Sequence, residues 1–145
     1  QPYSVVHLAT HGRFSGDLQE TYLLTHDGRL SMDQLEAVIS LGRFREQPVE
    51  LLTLSACQTA AGDDRAALGL AGVAVKAGAR SALASLWFIN DETTADLVTT
   101  FYRALEQPGV SKARALQQAQ LALLAERRAR HPAYWSAFLL IGSWL

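Results

Sequence analysis

Cys57 is the sole cysteine of the chain, and His11 precedes it by 57 − 11 = 46 positions. A thiol attacks best as its thiolate, so it needs an imidazole that takes its proton and later returns one to a leaving amine. These two residues supply that pair. The structural alternative is a Cys57 that behaves as a small buried hydrophobe and a His11 satisfied within a turn. Placement favours chemistry, because each residue closely follows a short apolar segment, Tyr3 to Ala9 or Leu51 to Ser55, that reads as a buried strand.

The rest of the chain shows what would position them. Ala82 to Trp87 reads as a third strand and Phe138 to Ile141 as a last one. Between these lie helical patterns. Ser31 with Gln34 makes a capping box ahead of Leu35, Val38 and Ile39, with an end expected near Gly42. Ala66 to Ala77 repeats an apolar face, with Gly78 as its C-terminal cap. Asn90 is a good N-cap for a helix carrying Val98, Phe101, Tyr102 and Leu105 on one stripe, which Gln107-Pro108-Gly109 breaks. Ser111 caps a longer helix, expected to reach about Arg130 before Pro132 closes it. Strands alternating with helices imply right-handed crossovers and an α/β class, with a mainly parallel sheet covered on both faces. Ligands of such sheets bind beyond the carboxyl ends of the strands. There the chain delivers Thr10-His11-Gly12, Cys57-Gln58-Thr59 and Asn90-Asp91-Glu92, so a base, a thiol and a carboxylate are expected on one edge.

Composition narrows the function classes. The 145 residues suit one domain, 49% of them hydrophobic and 19% charged, and no apolar run approaches membrane-spanning length. A net charge of −1 gives no basis for binding nucleic acid directly. Arg127-Arg128-Ala129-Arg130 reads instead as a cationic last helical turn. One cysteine cannot form an internal disulfide, and no signal-peptide pattern opens the chain, so a free thiol in the cytoplasm is expected. The start at Gln1 suggests a piece of something longer, with further elements upstream.

His7-Leu8-Ala9-Thr10-His11-Gly12 together with Leu54-Ser55-Ala56-Cys57-Gln58-Thr59 resembles the CHAT family, caspase-like domains often attached to tetratricopeptide repeats. Further segments agree in order: Ala77-Gly78-Ala79-Arg80, Ser85-Leu86-Trp87, Asp91, Phe101-Tyr102, and His131-Pro132-Ala133-Tyr134-Trp135-Ser136-Ala137-Phe138. The His-to-Cys separation also lies near the roughly 50 residues typical of caspases. The resemblance implies the caspase-hemoglobinase fold and a cysteine endopeptidase acting through an acyl-enzyme on a protein or peptide substrate. It implies His11 and Cys57 as catalytic dyad, with the N–H groups of Gly12 and Cys57 as oxyanion hole. A glycine after the histidine suits that role, since backbone can then approach the scissile carbonyl closely. The stretch Leu86 to Asp91 is similar to a separase segment whose aspartate receives a basic side chain, so Asp91 is a candidate for the substrate pocket. Its alternative is a helix-start residue favoured by the dipole. Ser55 is a weaker candidate for the same pocket. A tetratricopeptide or other sensor region is implied in the parent protein.

No third residue is assured as the group that orients His11. Asp17 and Glu20 follow it, though both read better as solvated loop charges. His7 and His11 have the spacing of a zinc pair, but the segment reads as strand and no glutamate stands beside the first histidine, so no metal is expected. No glycine fingerprint or phosphate-binding lysine loop is present, and the proposed chemistry needs no cofactor. Trp87, Trp135 and Trp144 are expected in the core or at its margin. Two rivals remain: an inactive binding or signalling module that keeps the fold and reads a partner peptide in the cleft, and a small-molecule hydrolase that shares the dyad but would need a pocket rather than an open cleft.

Overall fold

The computed structural model describes residues 4–13, 18–39, 48–55, 78–87 and 90–145. Its central sheet joins β1 (Val5–Ala9), β5 (Leu51–Ser55), β6 (Ser81–Ser85) and β7 (Phe138–Gly142) in the order β1-β5-β6-β7. The first three are parallel, and β7 closes the sheet antiparallel to β6. Three further strands, β2 (Gly12–Arg13), β3 (Tyr22–Thr25) and β4 (Gly28–Ser31), form a separate antiparallel sheet. The described helices are α1 (Met32–Ile39), α2 (Asp91–Leu105), α3 (Lys112–Ala125) and the single turn α4 (Pro132–Trp135).

Side chains alternate across a strand, so the continuous apolar runs of β5 and β6 feed two cores. Leu52, Leu54, Ala82 and Ala84 pack with Met32, Leu35 and Ile39 of α1 on one side. Leu51 and Leu83 pack on the other with Leu97 and Phe101 of α2 and with Ala115, Ala119 and Leu123 of α3. The expected mainly parallel α/β sheet covered on both faces is therefore present, consistent with a caspase-like fold.

The capping residues act as the sequence suggests. Ser31 and Gln34 exchange side-chain hydrogen bonds with each other's backbone N–H. Asn90 accepts from the Thr93 N–H at 2.9 Å, and Ser111 accepts from the Arg114 N–H at 3.2 Å. Ser111→Ala is expected to cost about 1 kcal/mol, measured as a lower urea midpoint with an unchanged slope.

Several boundaries differ from expectation. The third strand is Ser81–Ser85, not Ala82 to Trp87. The Leu86 N–H still donates to the Ala137 carbonyl, in register with β7, whereas the Trp87 indole turns to α4 and donates to the Ala133 carbonyl. The long last helix stops at Ala125, with Glu126 in extended backbone, and Arg127–Ala129 forms a separate 3-10 turn. Its arginines do not cap their own helix. Arg128 instead pairs with Glu126 and reaches Glu92 and Asp96 at the acidic start of α2. Pro132 opens α4 rather than closing α3, where its fixed φ and missing N–H are tolerated. Trp144 is 60% exposed. Beyond β7 the chain lies along the start of α3, held by backbone and by Lys112 rather than by the indole.

The β3–β4 hairpin is absent from the sequence-based expectation; it turns through His26-Asp27, and Gly28, the first residue of β4, has φ of +146°. The expected helix at Ala66 to Ala77 and the end near Gly42 lie outside the described residues. Among the described residues, no helix is long and apolar enough to cross a membrane.

Candidate active site

His11 leaves the carboxyl end of β1 and is tied down on its C-terminal side by the small sheet. The Leu24 N–H donates to the His11 carbonyl at 2.7 Å, and the Thr10 hydroxyl donates to the Leu24 carbonyl at 2.7 Å. Leu24 thus fixes the backbone on both sides of the imidazole without using its ring. Gly12 pairs with Leu23 at the first rung of β2 and is buried. The bond from Leu24 to His11 makes that rung a non-hydrogen-bonded pair, in which each residue's own N–H points away from the partner strand. The Gly12 N–H is therefore not consumed by β3.

Ser55 ends β5, and Asp91 is the first residue of α2, immediately after the Asn90 cap. His11, Ser55 and Asp91 line one open cleft of about 440 Å3 at the carboxyl ends of the parallel strands. His7, Thr10, Thr94, Val98 and Thr99 complete much of its wall. The lining thus brings His11 and Asp91 together with Ser55. Gly12 stands beside this cleft in sequence but is not part of its lining. Cys57 and Asp17 lie outside the described residues. Glu20 is bound to Arg13 at 3.2 Å, which gives its carboxylate a role other than orienting His11.

Beneath the cleft runs a polar seam that sequence reasoning did not find. His7 Nε2 lies 2.8 Å from Ser55 Oγ. The Tyr102 hydroxyl, from α2, donates to Thr53 Oγ1 at 2.8 Å, and its ring stands 5.7 Å from the His7 ring. Burial pushes the Tyr102 hydroxyl above its ordinary range, opposed in part by the bond to Thr53. The signal was the register: His7 pairs with Thr53, so a period of two carries His7, Thr53 and Ser55 onto the same face.

Burial also pushes the His7 imidazole below its ordinary 6.5, favouring the neutral ring in the folded protein. The unfolded chain then binds the His7 proton first as pH falls. Stability from this group is full above 6.5 and is lost as pH drops through the lower folded value. Urea midpoints measured from about pH 8 to about pH 5 should show that fall, and His7→Gln, which cannot ionise, should flatten it.

A family model described as the CHAT domain matches residues 1–143. The chain belongs to the CHAT domain family. No curated protein matches it at a significant level. The CHAT domain family is caspase-like, and the cleft of this CHAT domain opens where the parallel strands end. Among the described residues of the CHAT domain, no group of three or more His, Cys, Asp or Glu side chains could hold a metal ion.

Proposed function

We propose that this CHAT domain is a cysteine endopeptidase that cleaves after a basic residue. The observation that carries the reading is the shared cleft of His11, Ser55 and Asp91. Cys57 follows Ser55 by two residues, a span that no chain conformation stretches beyond about 7 Å.

In this reading His11 takes the Cys57 proton, and the thiolate attacks the peptide carbonyl carbon. The N–H groups of Gly12 and Cys57 stabilise the resulting oxyanion. The C–N bond then breaks as the imidazolium protonates the departing amine, leaving a thioester. His11 next deprotonates a water molecule, which attacks the thioester and releases a carboxylate and the thiol. No metal or organic cofactor enters these steps. The partners are a protein or peptide substrate and, elsewhere in the parent chain, a tetratricopeptide or other sensor region.

Asp91 supplies the preference. Its exposed carboxylate at the cleft offers a charge-assisted partner to arginine or lysine on the acyl side of the scissile bond. Cleavage rates of Arg, Lys, Asp and Leu peptides by wild-type protein and Asp91→Asn test this directly. The wild-type protein should favour Arg and Lys, and Asp91→Asn should lose roughly 2 kcal/mol or more of that recognition. Equal cleavage of all four peptides by wild-type protein would remove Asp91 from specificity.

A further inference from the structure

Among the described residues, His7 is the one cleft-lining side chain that hydrogen-bonds another candidate substrate contact, through Nε2 to Ser55 Oγ at 2.8 Å. A hydroxyl has one proton and two lone pairs, so its partner decides what it offers to the cleft. If an imidazole nitrogen accepts the Ser55 proton, the oxygen keeps a lone pair for an incoming N–H. If the imidazole donates instead, the Ser55 proton is left to face the substrate. We propose that His7 is a specificity-determining residue: its Nε2 accepts the Ser55 proton, so that Ser55 Oγ joins Asp91 in receiving the cationic end of the substrate side chain.

This inference rests on the basic preference proposed above and assigns a second acceptor to it. Geometry limits the competing influences on His7. Ser55 and Thr53 face it from β5, Tyr102 faces it from α2, and His11 and Asp91 share its cleft. A second cavity of about 240 Å3 touches its other flank, where Leu23, Leu24, Thr25 and Leu30 of β3 and β4 bring no titratable group. Burial favours the neutral ring, which alone can accept. Protonated His7 must donate, so the arginine preference should weaken as pH falls.

The test uses Cys57→Ala protein, so that peptides persist, and compares binding of an arginine peptide with its citrulline counterpart, which keeps the shape and removes the charge. The parent should prefer arginine, increasingly so above the His7 transition. His7→Phe keeps an aromatic ring near Tyr102 and should reduce the preference about tenfold, weakening arginine binding more than citrulline binding because the bond to a charged donor is the stronger. Ser55→Ala should reduce it equally, and the double variant should add little, since the pair acts as one unit. His7→Phe should also abolish the pH dependence of the preference. Equal binding of both peptides by the parent would overturn the basic preference and this role with it. A parent that prefers arginine while both His7→Phe and Ser55→Ala retain its full preference would overturn the His7 role alone.

Discussion

Cys57→Ala and His11→Ala are each expected to lower kcat/KM for peptide cleavage by at least about a thousandfold, and the double variant should be little worse than either. The expectation follows from division of labour. The thiol supplies the attacking atom and the imidazole moves its proton, so removing either leaves the other without a task. Folding should be nearly unaffected by His11→Ala, because Leu24 holds the backbone there and the side chain is exposed. Initial rates with an arginine peptide, together with melting curves, check both halves. Substantial turnover by Cys57→Ala would eliminate it as nucleophile.

Phe101→Ala is expected to destabilise the fold by about 3 to 5 kcal/mol. Phe101 is fully buried, with 0% of its surface exposed, and it joins α2 to Leu51 and Leu83 of the sheet within one core. Its ring also meets Tyr102 edge-on at 5.4 Å, so the cavity would form directly behind the seam that reaches Thr53 and His7. Leu121→Ala provides the contrast, since Leu121 is 56% exposed on α3 and should change stability by about 0.5 kcal/mol or less. Urea unfolding of the two variants measures the difference. A cost below about 1 kcal/mol for Phe101→Ala would contradict the packing of α2 on the sheet.

What could be read in the sequence was whatever depends on local pattern. Apolar runs marked β1 and β5, and Asn90 and Ser111 marked helix starts because a capping side chain bonds backbone only three residues away. The strand-end rule pointed His11 and Asp91 to the edge where the cleft opens, whereas Ser55 came from the family resemblance. Long-range partners were less legible. Arg128 looked like a helix end because its true partners, Glu92 and Asp96, lie more than thirty positions earlier. Trp144 looked like core because an indole ordinarily is, yet the tail is anchored by its backbone. His7 drew notice only as half of a zinc pair, since its bond to Ser55 depends on strand register, which one sequence does not state. The hairpin that turns through His26-Asp27 was also missed, although Gly28 follows the turn directly.

Covalent labelling tests the central claim most directly. A peptidyl electrophile carrying arginine, incubated with wild-type protein and with His11→Ala, should modify Cys57 rapidly in the first and at least about a hundredfold more slowly in the second, as read by mass spectrometry of the Cys57 peptide. Labelling of Cys57 no faster than a free thiol, or at the same rate in both proteins, would contradict a His11–Cys57 catalytic pair.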